Sequence, residues 1–126
     1  MPKVKKDNDN NAMVTGPTRE GIQVRGRLWL EYEDQTYLSW GRIVLLEKID
    51  EYGSVSAAAK SMKMSFSHAW QLVENMNTLG PRPLVEKQAG GRRGGGAWLT
   101  EEGKKAVKDF WRLVGKFQEW MDHESF

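Results

Sequence analysis

Ser67, His68, Gln71 and Asn75 fall on one face of a helix-period pattern, and each side chain can take part in more than one hydrogen bond. They lie opposite Ala69, Leu72, Val73 and Met76, which recur at i, i+3, i+4 and i+7 and mark a buried face. Short polar groups that donate and accept are what a helix presents to base edges in the major groove of a duplex. The plainer alternative is a helical hairpin whose outer face is simply solvated. From these residues alone the two readings stand level.

The elements that must carry this face are two helices within residues 54–77. Ser54 or Ser56 can cap the first and Ser65 the second, because a side-chain oxygen there accepts an otherwise unpaired amide. Ala57, Ala58 and Ala59 favour helix and let a second helix cross closely. Met62 and Met64 flank the turn and are expected to point inward. A preceding helix opens at Ser39 or Trp40 and runs to Tyr52, with Ile43, Leu45, Leu46 and Ile49 on an apolar face and Gly53 as its left-handed stop.

Residues 1–20 lack periodicity and are expected to be a disordered tail. Residues 22–32 alternate, with Ile22, Val24, Leu28, Leu30 and Tyr32 to one side, so a half-buried strand is expected. Residues 33–35 then turn into a short returning strand at 36–38. The exposed Trp29 suggests a second covered surface.

Pro81 and Pro83 break the chain after the helical pair. Residues 84–87 and 97–99 read as short strands, and the glycine-rich segment between them carries Arg92 and Arg93. Such a hairpin, spanning residues 83–100, is a wing whose arginines can reach phosphates beside a reading helix. A nucleotide-cradling loop is disfavoured, since no Lys-Ser or Lys-Thr follows the glycines. Thr100 caps a last helix over residues 100–121, with Glu101 and Glu102 at its positive end. Its Val107, Phe110, Val114, Phe117 and Met121, flanked by Ala106, Leu113 and Trp120, form an apolar surface wider than a small domain is expected to cover alone. That points to a homodimer.

The 126 residues suit one domain, bounded at about residues 21–126. There is no cysteine, so disulfides and thiolate metal sites are excluded. No apolar run could span a membrane or serve as a secretory signal, and a cytoplasmic protein is expected. The net charge of +2 is unevenly placed: between Ser54 and Leu99 six cations face two acids. An acidic polymer is the partner such a segment suits. His68 and His123 have no metal-ligand spacing, and no nucleophile motif is present, so neither an enzyme nor a cofactor is expected.

Several motifs together resemble one family. Gly41-Arg42, Leu45-Leu46, Ala58-Ala59-Lys60 after Gly53-Ser54, Met64-Ser65, Ala69-Trp70, the run Glu74-Asn75-Met76-Asn77, Pro83-Leu84-Val85-Glu86, the glycines of 90–96, Leu99-Thr100 and Gly103 resemble the DNA-binding domain of the molybdate-responsive ModE regulators. The resemblance covers roughly residues 22–120. The helical pair and Leu99-Thr100 with Gly103 are similar, more distantly, to LysR-type regulators, whose wing lacks this glycine pattern.

The resemblance implies an α+β, mainly α fold: a winged helix-turn-helix with an N-terminal β-hairpin and a long C-terminal dimerisation helix. It implies a transcriptional regulator that binds an inverted-repeat operator on double-stranded DNA as a homodimer. Ser65, Phe66, Ser67 and His68 would open the recognition helix, and Gln71 would join Ser67 and His68 in reading bases. Lys63, Arg92 and Arg93 would bind backbone, and Ser65 would cap its helix and hold a phosphate. Members of that family often carry Lys or Arg at or just after position 67, where this chain has Ser67 and His68. Affinity is then expected to come largely from the wing, the lysines and the dimer. Full-length relatives continue into oxyanion-binding domains, which a chain ending at Phe126 is expected to lack, with no effector bound within it. The alternative from another class is a winged-helix adaptor that binds a protein rather than DNA.

Overall fold

The computed structural model describes residues 13–88 and 96–126. Its axis is α1 (Trp40–Tyr52), in which Ile43, Val44, Leu45, Leu46 and Ile49 are all fully buried. The sequence suggested one broad apolar face, but Val44 extends it, and a helix apolar around most of its circumference belongs in a core. Ser39 caps the helix by accepting from the Arg42 amide at 3.4 Å, and Gly53, with φ of 77°, ends it in the left-handed conformation.

Two short helices follow. In α2 (Val55–Ser61) the Ser54 hydroxyl accepts from the Ala57 amide at 3.0 Å. Ala58 and Ala59 are buried, and their lack of bulk lets neighbouring helices come near. In α3 (Phe66–Leu79) the Ser65 hydroxyl accepts from the His68 amide at 3.1 Å. The turn between them is tight: the Met64 amide donates to the Ala59 carbonyl at 2.9 Å, and Lys63 is held at φ of 54°. Met62 is buried and Met64 half-buried. A left-handed lysine is strained by its Cβ, so Lys63→Gly is expected to stabilise the fold by about 0.5–1 kcal/mol, the strain relieved less the extra freedom of an unfolded glycine. A urea melt checks this; a lower midpoint would contradict it.

The strands form three separate two-stranded antiparallel sheets among the described residues. Strand β1 (Val14–Arg19) pairs with β2 (Ile22–Gly26), β3 (Leu30–Tyr32) with β4 (Gln35–Leu38), and β5 (Val85–Gln88) with β6 (Gly96–Leu99). Two sequence expectations are corrected here. The first is the tail over residues 1–20: its first twelve lie outside the described residues, but 14–19 are a strand. Glu20 and Gly21, both at positive φ, make the two-residue turn that folds it onto β2. This strand does not alternate because its support is tertiary: Val14 is 1% exposed, and the strand lies against the last helix. The second is the single strand at 22–32, which is two strands. The first pairs backward and the second forward, and residues 27–29 between them belong to neither.

The last helix, α4 (Glu101–Asp122), is capped by Thr100, whose hydroxyl accepts from the Gly103 amide at 3.0 Å. Phe110, Val114 and Met121 are buried. The Gln118 side-chain amide donates to the Thr15 carbonyl at 2.8 Å, and Trp111 meets Trp40 edge-on at 4.9 Å while its ring N–H donates to Glu47 at 3.1 Å. Much of the apolar face that the sequence assigned to a partner is therefore covered within the chain, largely by the segment read as a tail. Trp120 stays outside, 58% exposed and stacked at 6.3 Å on Phe117. The described residues form an α+β fold of four helices and small antiparallel hairpins, consistent with a winged helix.

Candidate nucleic-acid interface

Helix geometry sorts α3 into three strips. Ala69, Val73 and Met76 are fully buried against the core. Ser67 and Gln71, one turn apart, form the exposed ridge opposite, with Thr78 further along it. His68 flanks the ridge on the side of the turn; Phe66 and Trp70 flank it on the other. Ser65, Phe66, Ser67, His68 and Gln71 are all exposed, so the site residues of α3 named from the sequence share one accessible surface. Exposed Lys63 stands beside it, and neither Lys63 nor the exposed Lys60 of α2 forms an ion pair among the described residues. An open groove of about 720 Å³ runs past His68 between this surface and the start of α1, with Ser39, Arg42, Lys63 and Met64 in its walls. Arg92 and Arg93 lie outside the described residues.

Asn75 leaves this set. Its carboxamide oxygen accepts from the Arg42 guanidinium at 2.6 Å, and the same nitrogen also donates to the Thr36 and Tyr37 carbonyls, each at 3.2 Å. Burial lowers the Arg42 pKa from its ordinary value, and these acceptors meet the cost of holding that charge inside. Asn75 is thus a strut between α1, β4 and α3. The other members of the run 74–77 are struts too. Glu74 ion-pairs with Lys87 on β5, and Met76 is 0% exposed. The Asn77 oxygen accepts from the Leu84 and Val85 amides at 2.9 and 3.1 Å, while its amide donates to the Val85 carbonyl at 2.9 Å. The run therefore positions α3 and the base of the β5–β6 hairpin relative to one another, which spacing alone did not reveal.

Trp70 is a surface residue outside the set that the sequence marks as functional. It stacks on Phe66 with ring centroids 5.8 Å apart, and the Lys87 ammonium sits 4.1 Å from its ring centre. Its place four residues after Phe66 was the available signal. Among the described residues no group of three or more side chains could hold a metal ion, and no helix is long and apolar enough to cross a membrane.

No family model matches the chain. It is 41% identical over 99 residues to the molybdenum transport protein ModE of Azotobacter vinelandii, an alignment covering 79% of this chain and 37% of that protein. The chain is a ModE relative. The ModE transcriptional regulator of Haemophilus influenzae is 34% identical over 96 residues, 76% of this chain and 37% of its own length. The DNA-binding transcriptional dual regulator ModE of Escherichia coli K12 is 35% identical over 98 residues, 78% of this chain and again 37% of its own length. The chain thus spans little more than a third of the ModE proteins it matches, as a ModE-like DNA-binding domain would. Two of these relatives are named as transcriptional regulators, and neither name describes an enzyme.

Proposed function

We propose that this chain is a sequence-specific DNA-binding transcriptional regulator, with α2 and α3 acting as a helix-turn-helix and the β5–β6 hairpin as its wing. The observation that carries this reading is the exposed ridge of Ser67 and Gln71 at the start of a helix that is fully buried on its opposite side. A ridge so mounted can enter a major groove as a rigid body. Ser67, His68 and Gln71 read base edges. Ser65, already accepting from its own helix, holds a phosphate at the helix start, where amides and dipole favour an anion. Lys63 and the wing's Arg92 and Arg93 bind backbone. The protein acts in the cytoplasm.

The active species is a homodimer on an inverted repeat, with its two reading helices about 34 Å apart, one turn of DNA. The exposed Trp120 on α4 supports this, as does the half-buried Leu113 one heptad before it, both on the apolar face of that helix.

Selection of bound fragments from a random duplex library, followed by binding titrations on single-base variants, tests the reading. Gln71→Ala is expected to relax preference at one base position by about 1–3 kcal/mol. Equal loss on every sequence would remove Gln71 from base reading. No binding at low salt, together with a stable complex with another protein, would favour an adaptor instead.

A further inference from the structure

Phe66 and Trp70 occupy the flank of α3 that faces the hairpin, 52% and 39% exposed. Neither is among the buried residues of the hydrophobic core. The two large aromatic side chains are stacked on each other at 5.8 Å and 30° at the surface, so much of their apolar area stays open to a partner. Phe66 directly precedes Ser67 and Trp70 directly precedes Gln71, so the pair runs alongside the ridge over one full turn.

The charge around the pair says what it suits. Lys87 lies over the Trp70 ring, but it is also ion-paired with Glu74, one turn further along α3. The cation that could have drawn a phosphate to this flank is thereby neutralised and held against the ring. Among the described residues, what remains is an apolar ledge with little net charge, continuous with a hydrogen-bonding ridge. In a major groove the apolar feature is the 5-methyl group of thymine, which projects beside the hydrogen-bonding edges.

We infer that Phe66, backed by Trp70, is a specificity-determining residue that packs on a thymine 5-methyl group in each half-site. This rests on the DNA-binding reading of α3 given above. Trp70 is the wall that fixes the Phe66 ring, and the Glu74–Lys87 pair in turn fixes Trp70.

Replacement of thymine by deoxyuridine removes the methyl group and nothing else from the groove edge. The 126-residue chain first selects its preferred duplex from a random library. Each thymine of that duplex is then replaced in turn by deoxyuridine, and affinity is read by fluorescence anisotropy. One position per half-site is expected to lose about fourfold, the worth of one buried methyl group. In Phe66→Ala the gap between thymine and deoxyuridine at that position closes, and in Trp70→Ala it narrows. Circular dichroism on both variants is expected to match the parent, because both side chains are outside the core. Equal affinity for thymine and deoxyuridine at every position, or a gap that survives in Phe66→Ala, overturns the ledge and leaves DNA binding standing. Failure to enrich any sequence overturns DNA binding and the ledge with it.

Discussion

Asn77→Ala lowers folding stability by about 2–4 kcal/mol, seen as a lower urea midpoint with an unchanged slope. The size follows from what one side chain does. Its oxygen accepts from two successive backbone amides, Leu84 and Val85, and its nitrogen donates to the Val85 carbonyl. Leu84 and Val85 are each 2% exposed, so water has little access to the groups left behind. A single buried unsatisfied group costs about 1–3 kcal/mol, and alanine strands three at once, partly relieved by local relaxation. The residues at stake lead into and begin the first strand of the hairpin, so the variant is also expected to lose its fixed relation between hairpin and α3. A change below about 0.5 kcal/mol, the level of an ordinary surface substitution, would show that β5 is held by other means.

Gly103→Val is the second large effect, at about 3 kcal/mol of destabilisation, the upper end of what overpacking usually costs. The reason is the same small locus seen from the other side. The Leu84 carbonyl accepts from the Thr100 amide at 3.0 Å, and the Thr100 hydroxyl donates to the Pro83 carbonyl at 2.8 Å. The first turn of α4 is thereby drawn onto the chain entering β5. A Cβ at position 103 would stand 2.1 Å from the Leu84 oxygen, which is backbone and already accepts from the Thr100 amide. Intrinsic propensity alone would make valine the better helix residue, so the sign separates the two accounts. Destabilisation supports the close contact; a rise in melting temperature contradicts it.

How much of this was legible in the sequence depends on where the stabilising partner lay. The caps at Ser39, Ser54, Ser65 and Thr100 and the stop at Gly53 are local chemistry, and each shows in a few neighbouring residues. The ridge and buried face of α3 show in its period. Strand β1 did not, because it has one buried apolar residue, Val14, and is held by α4 about a hundred residues away, as the Gln118 to Thr15 hydrogen bond illustrates. The same missing strand made the apolar face of α4 look uncovered. Asn75 shows the converse failure. Its period placed it with the bases' side of the helix, and only the approach of Arg42 from α1 reveals that its hydrogen bonds are taken. Of the candidate site, Ser65 to His68 and Gln71 fall together as the spacing implied, while the role of Glu74 and Asn77 as ties to the hairpin needed the fold.

DNA recognition as proposed requires the exposed start of α3 to distinguish one DNA sequence from another. Its most direct test is the affinity of the unaltered chain for a library-selected duplex against a shuffled duplex of equal length and composition, measured together at one stated salt concentration. Binding to the selected duplex is expected to be tighter by about 10³-fold or more, the ordinary margin of specific over non-specific recognition. Equal affinity for the two duplexes would contradict it.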